Sequence, residues 1–284
     1  MDRKPKHASG YQPESVLRVR QTLLFIASKL GDLMENIVVV GGLVPYLLIE
    51  QEGLPAPRRH VGTLDLDLGL SFAILDDERY REVADRLRAE GFKAVEKIEG
   101  RIRRQTWALG CGTEEVSVDF LIQPNTQQPE PDKMTNIEHD LAAVTVERLD
   151  LAFRAHRRVR ISGILPNGST LTREVKVAGP GAFIVLKAIA FHLRGENKDA
   201  YDLFYILREM PRGEAKADFE RLPGDHPAVL QALRHYRQDF IEDNAGLAQA
   251  AEFILGRRDQ VVEADVAAAV RAFLRRDEAR SRWA

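Results

Sequence analysis

Gly62-Thr63-Leu64-Asp65-Leu66-Asp67-Leu68-Gly69-Leu70 is the stretch whose reading decides the fold. Its period of two puts Leu64, Leu66, Leu68 and Leu70 on one face of a β-strand, and Asp65, Asp67 and Gly69 on the other. Short acids and glycine pack poorly in strands, so a wet face built from them serves something other than folding. Two short carboxylates on the same side of a rigid element offer oxygen ligands to a hard divalent cation such as Mg²⁺. The plainer alternative is an acidic, solvated strand face, or one carboxylate capping a turn, and the stretch alone leaves both open.

Upstream, Ile37-Val38-Val39-Val40 is a wholly apolar run of the kind a central strand shows. Gly41-Gly42 ends it, and residues 43–49 continue as a short helix with Pro45 in the first turn. A strand, a glycine turn and a helix N-terminus form a geometry that admits phosphate, and a simple tight turn is the alternative. Downstream, Asp76-Asp77 open a helix that runs to Gly91, and residues 92–98, 101–109 and 115–122 read as strands. In the last of these, Val116, Val118 and Phe120 share one face while Ser117 and Asp119 share the other, which repeats the pattern of the first acidic strand. Were the two strands neighbours, Asp119 would join Asp65 and Asp67, and three crowded carboxylates are costly unless a cation neutralises them. The five strands predict a mixed sheet with helices on one side, an α+β fold.

Before that sheet, Ser15 caps a helix through Val16, Val19, Leu23, Ile26, Ala27 and Leu30. Residues 51–61 form an irregular basic loop with Pro55, Pro57, Arg58, Arg59 and His60. A segment rich in Pro, Gln and Asn at 124–132 marks a boundary, giving an N-terminal domain over residues 1–130 and a C-terminal domain over 131–284. The second domain starts with short strands around the turn Pro166-Asn167-Gly168-Ser169 and ends in helices. Its cluster Arg154, His156, Arg157, Arg158 and Arg160 reads as a solvated face or as a surface for RNA or triphosphate. Gly179-Pro180-Gly181 then introduces a helix that is apolar all round except for Lys187, whose ammonium needs an anionic partner, a cleft or a route to solvent. Asp199 and Asp202, three apart at the start of the next helix, are surface neighbours there, and such acids commonly pair with the helix dipole. The helices beyond, at 227–241, 247–255 and 265–274, are generic.

With 44% hydrophobic and 30% charged residues in 284, the chain is an ordinary globular protein, and its net charge of −2 supplies no global basic field for nucleic acid. The single cysteine, Cys111, excludes an internal disulfide framework and agrees with a reducing compartment. No long uncharged apolar run predicts a membrane span or a signal peptide, so the expected location is the cytoplasm. The seven histidines show no His-x-x-x-His spacing of the kind that binds zinc from one helix face.

The apolar strand into Gly41-Gly42, then Asp65-Leu66-Asp67, then Asp119, resembles the nucleotidyltransferase superfamily to which DNA polymerase beta belongs. With the Lys187 helix followed by Lys198-Asp199-Ala200-Tyr201-Asp202-Leu203, the chain is similar to the AbiEii-type branch, known for abortive-infection and toxin–antitoxin nucleotidyltransferases, in which a lysine helix precedes a Lys-Asp-x-x-Asp-Leu segment. The resemblance runs from about residue 37 to residue 207. It implies that Asp65 and Asp67 hold Mg²⁺ or Mn²⁺ on a nucleoside triphosphate (NTP), and that Asp119 completes the metal site or activates the acceptor hydroxyl. Gly41, Gly42 and Thr63 would line the nucleotide, Lys187 would contact its phosphates, and Asp202, ahead of Asp199, would organise the lysine and the acceptor. Carboxylate-held metal and a lysine suffice for such a transfer, which requires no thiol or Ser–His–Asp nucleophile. RNA or a tRNA end is the implied acceptor, with an antitoxin protein as partner. A small hydroxyl compound as acceptor, a catalytically silent nucleotide-binding module and a plain structural protein are the rival readings. Two departures stand out: 22 residues separate Gly42 from Asp65, and Val61 stands where an arginine is often found, with Arg59 two positions further back.

Overall fold

Helix α1 (Pro13–Leu30) begins two residues before Ser15, because Pro13 fits the first turn of a helix, where its missing N–H costs nothing. The computed structural model describes residues 4–71, 77–96, 102–109, 116–123, 134–136, 142–164, 168–211 and 213–275. The chain divides into two compact units, one holding residues 13–48 and 62–178, the other 4–12, 49–61 and 179–284.

In the first unit, β1 (Ile37–Val40) leads through a tight 3₁₀ turn, Gly41–Leu43, into the five-residue α2 (Val44–Leu48). Next come β2 (Asp65–Leu70), α3 (Asp77–Ala89), β3 (Phe92–Glu96), β4 (Ile102–Leu109) and β5 (Ser117–Ile122). The unit continues with β6 (Met134–Asn136), β7 (Ala142–Thr145), α4 (Asp150–Arg154), β8 (His156–Ile164) and β9 (Thr170–Ala178). All the described strands join one mixed sheet in the order β3-β4-β5-β2-β1-β9-β8, with β7 pairing to β5 and β6 to β7. β2 runs parallel to β5 and antiparallel to β1, and β1 runs parallel to β9. The five strands predicted from sequence are therefore contiguous. The sheet is wider than predicted, because the β1–β9 pairing draws in the hairpin β8–β9; the sheet unit accordingly runs on to Ala178, past the expected boundary at residue 130.

The leucine face carries the core. Leu66, Leu68 and Leu70 are fully buried together with Val118 and Phe120 of β5, and α1 packs against β2, β8 and β9 with Val16, Val19, Leu23, Leu24 and Ile26 turned inward. On the opposite face Gly69 gives room to Val38 and Leu149, whose methyl groups would lie 3.0–3.4 Å from a β-carbon there. Parts of the sequence reading fall outside the described residues: Asp76, the strand end at 97–98, the turn around Cys111, the segment 124–132 and Pro166-Asn167.

The second unit is helical: α5 (Pro180–Arg194), α6 (Asn197–Glu209), α7 (Glu214–Glu220), α8 (Pro227–Arg237), α9 (Ala245–Leu255) and α10 (Gln260–Leu274). α10 starts five residues ahead of the position expected from sequence because Asp259 caps it, accepting the N–H groups of Val261 and Val262 at 3.1 and 3.2 Å. Among the described residues no helix is long and apolar enough to cross a membrane.

α5 is held at its N-terminus by close backbone approach. Gly179 precedes it, Pro180 occupies the first turn, and Gly181 donates its N–H to Asp218 of α7 at 3.0 Å. A β-carbon on Gly181 would fall 2.7 Å from the Phe219 Cα, which is backbone and cannot step aside. Gly181→Ala should therefore destabilise the protein by about 1–3 kcal/mol, the cost of overpacking, read as a lower urea midpoint at unchanged m-value.

Candidate functional site

The parallel register of β2 and β5 sets Asp67 directly beside Asp119 and Asp65 beside Ser117. One carboxylate oxygen from each of Asp65, Asp67 and Asp119 lies within 4.8 Å of the other two. Asp65 is buried, and Asp67 and Asp119 are half-buried. Two of these acids are aimed by hydroxyl groups. Thr63, itself buried, donates to Asp65 Oδ1 at 2.6 Å, and Thr106, which faces Asp119 across the β4–β5 ladder, donates to Asp119 Oδ1. Sequence does not single out Thr106, since a threonine on a strand is ordinary until its neighbour is known.

Asp67 is fixed by the glycine turn. Gly41 has φ +70°, a left-handed conformation, and a β-carbon built on it would land on the Asp67 carboxylate. The glycine is thus the space the carboxylate occupies. Three carboxylates this close repel one another, and an all-oxygen donor set of this kind fits a hard divalent cation such as Mg²⁺ or Mn²⁺. Arg59 is outside this cluster and donates to the Leu54 carbonyl at 3.0 Å.

Lys187, Asp199 and Asp202 form a second cluster, in the helical unit. The Lys187 Nζ lies 2.8 Å from Asp199 Oδ1 and 3.0 Å from Asp202 Oδ2. Arg194 holds Asp199 with two bonds, 2.6 and 2.9 Å, and Lys198 holds Asp202 at 2.8 and 3.0 Å. Both acids are buried, Asp202 completely, so they are ion-pair partners and not surface partners of the α6 dipole. His60, from the loop that sequence reads as merely basic, is also buried, with Nε2 2.9 Å from Asp202 Oδ1. Arg58 of the same loop pairs instead with Glu209, at 2.6 and 3.2 Å.

Burial works against the charged forms of Lys187, Lys198, Asp199, Asp202 and His60, and the partners decide the outcome. It would draw the Lys187 ammonium down, but Asp199 and Asp202 outweigh it and the pKa is raised. It would push Asp202 up, but Lys198 and Lys187 hold the carboxyl well below the usual range, and Lys187 and Arg194 do the same for Asp199. For Lys198 burial wins over Asp202 and the pKa falls. For His60 burial also wins over Asp202, bringing the pKa to about 4, so the ring is neutral at pH 7. Asp202 is then an ionised acceptor, and the neutral ring must carry its proton on Nε2.

Two measurements test this geometry. Gly41→Ala should displace the Asp67 carboxylate and weaken Mn²⁺ binding at least tenfold by calorimetry, while the α+β fold persists by far-UV circular dichroism. For His60, the unfolded chain takes up a proton near pH 6.5 that the folded chain refuses until about pH 4. Its contribution to stability is therefore intact above pH 6.5 and is lost as the pH falls from there to about 4. The urea midpoint should drop between pH 7 and pH 5 in the wild-type protein, and this drop should shrink in His60→Leu.

A model of a nucleotidyltransferase family matches residues 24–205, more than half of the chain and all of both clusters. No curated protein matches the sequence. Two solved structures are similar at low identity. An antigenic nucleotidyltransferase-like protein from Paracoccidioides brasiliensis shares 15% identity at a TM-score of 0.45, over 82% of this chain and 92% of its own. The nucleotidyltransferase toxin MenT4 from Mycobacterium tuberculosis H37Rv shares 16% at a TM-score of 0.43, over 94% and 87%. Matched from within α1 to within α6, past the Lys-Asp-x-x-Asp-Leu segment, and with the carboxylates assembled on one sheet face, the chain belongs to the nucleotidyltransferase family.

Proposed function

We propose that the protein transfers a nucleoside monophosphate from an NTP to a hydroxyl group of RNA, a tRNA end being the favoured acceptor, in a divalent-metal-dependent reaction. The observation that carries this reading is the convergence of Asp65, Asp67 and Asp119 through the β2–β5 register. A divalent cation held by the three carboxylates would draw negative charge from the triphosphate as it builds up. The acceptor oxygen forms a bond to the α-phosphorus, the bond from that phosphorus to the β-phosphate bridging oxygen breaks, and pyrophosphate leaves with the electron pair. Asp119 takes the hydroxyl proton. Gly41 and Gly42, which carry no side chain, would let the triphosphate approach the backbone, and Thr63, which donates to Asp65, would keep that carboxylate oriented for a metal.

Lys187 pairs with the growing charge on the phosphates, and its raised pKa keeps it cationic through the neutral range. Asp202 and Asp199 hold the ammonium in place between turnovers. The match of Lys198-Asp199-Ala200-Tyr201-Asp202-Leu203 to the AbiEii-type segment supports an RNA acceptor, a toxin role and an antitoxin partner.

Asp65→Asn and Asp67→Asn should each lower incorporation of labelled nucleotide by on the order of 10²–10³-fold or more, with cooperative unfolding retained. Each labelled NTP is tested with Mg²⁺ or Mn²⁺, total tRNA and a panel of small hydroxyl compounds. Full transfer by both variants would remove the metal site from the mechanism, and label entering a small compound alone would reassign the acceptor.

A further inference from the structure

Three side chains meet Asp202 at once, His60 and Lys198 by hydrogen bonds and Lys187 as an ion pair, and they differ in what they can fix. Lys187 and Lys198 end in ammonium groups on flexible stems, which supply charge but little direction. The imidazole of His60 is rigid and directional. Its backbone N–H is held by Gln51 Oε1 at 2.8 Å, and the same oxygen accepts the Tyr205 hydroxyl at 3.1 Å. The ring stacks on Tyr201 with centroids 5.3 Å apart and an angle of 20°, and it meets Tyr205 edge-on at 4.7 Å. The next residue, Val61, donates its N–H to the Tyr201 hydroxyl at 3.2 Å. Backbone and ring are thus both held in place.

Charge does not explain this arrangement. Asp202 already has two ammonium partners, and a neutral ring adds none. A residue needed only to fill space would not carry a polar edge into a dehydrated pocket beside two cations, where it loses water and must find a partner. What His60 adds is an N–H whose direction is set by a stacked, hydrogen-bonded ring.

We propose that His60 is a positioning residue for the transfer reaction: the hydrogen bond from its Nε2 fixes the plane of the Asp202 carboxylate, and through it the Lys187 ammonium. The inference rests on the nucleotidyl-transfer reading for its effect on rate, and on the buried geometry alone for its effect on Lys187. Sequence supplies no signal for it, since Arg58-Arg59-His60 reads as a basic surface run.

The test compares His60→Leu, which keeps apolar bulk and loses the donor, with His60→Gln, whose amide N–H can stand where Nε2 stood. With labelled NTP, Mg²⁺ and total tRNA, His60→Leu should lose about 10–100-fold in kcat while the KM for NTP stays within about threefold. His60→Gln should recover most of that loss, with both variants folded by circular dichroism. Equal kcat in wild type and His60→Leu, or a folded His60→Gln no better than His60→Leu, overturns the proposal. Nitrogen NMR gives a readout that needs no turnover. In the wild-type protein the His60 ring should stay in one neutral tautomer, protonated on Nε2, from pH 6 to pH 8. The Lys187 ammonium resonance should move in His60→Leu and return in His60→Gln. A Lys187 signal indifferent to His60→Leu overturns the positioning role whether or not transfer is seen, whereas absence of transfer by the wild-type protein alone counts against the function and leaves the NMR result to decide the role of His60.

Discussion

The register between β2 and β5 is the constraint on which everything else depends. Strand periodicity is two, so sliding β5 by one residue would turn Asp119 to the opposite face and bring Val118 and Phe120 out of the core. Burying a side chain of that size contributes roughly 1.5–3 kcal/mol, and Leu66, Leu68, Leu70, Val118 and Phe120 are all fully buried across these two strands. That sum far exceeds what a slipped pairing could recover by separating half-exposed carboxylates. The hydrophobic face therefore enforces the acidic one. The same leucines that build the core assemble Asp65, Asp67 and Asp119, and the mutual repulsion of the acids is tolerated because the strands have no better alternative.

In the helical unit the logic is reversed, since there Lys187, Asp199 and Asp202 are buried and must find partners, one of them the exposed Arg194. Three cations, Lys187, Arg194 and Lys198, share two carboxylates, Asp199 and Asp202. Removing one member of a buried pair strands the other at a cost of about 3–5 kcal/mol, so loss of Asp202 would take the carboxylate from Lys198 and leave Lys187 with Asp199. His60 is the exception. It is neutral, and its loss strands no charge, which makes it the one member whose directional contribution can be separated from the electrostatic balance. Tyr201 and Tyr205 hold that neutral ring in an orientation that the lysine stems cannot enforce.

The alternation of apolar and acidic residues makes both acidic strands legible, and the shared pattern in Val118-Asp119-Phe120 puts Asp119 with the other two only if the strands are neighbours, which the β2–β5 pairing supplies. The apolar helix around Lys187 is equally plain, and of the partner, cleft or route to solvent that its ammonium needs, packing supplies the partners Asp199 and Asp202. What cannot be read is long-range. The pairing of β9 with β1 joins residues far apart in the chain and leaves no local mark, so the sheet extends past the boundary suggested by the polar segment at 124–132. Thr106 has no distinguishing neighbour in sequence. Asp199 and Asp202 look like acids in a first helical turn, and only packing shows that they are buried. His60 beside two arginines has the look of a solvated charge run, yet it is neutral and enclosed.

The 22 residues between Gly42 and Asp65 are an interruption in sequence, and the structure gives them a purpose. After α2 the chain leaves the sheet unit, and residues 49–61 become part of the helical one, supplying Gln51 and His60 to the pocket around Asp202. It returns through Gly62, whose φ of +82° and close fit against Val16 define the turn, and reaches Thr63, which donates to Asp65. Within residues 60–65, then, one donor is committed to Asp202 and another to Asp65, each anchored by packing of its own. Neither unit is a continuous piece of sequence, and a cut after Ala178 would deprive the helical unit of the residue that orients its central acid. The insertion is therefore part of the lysine site, although in sequence it lies wholly within the span of the acidic one.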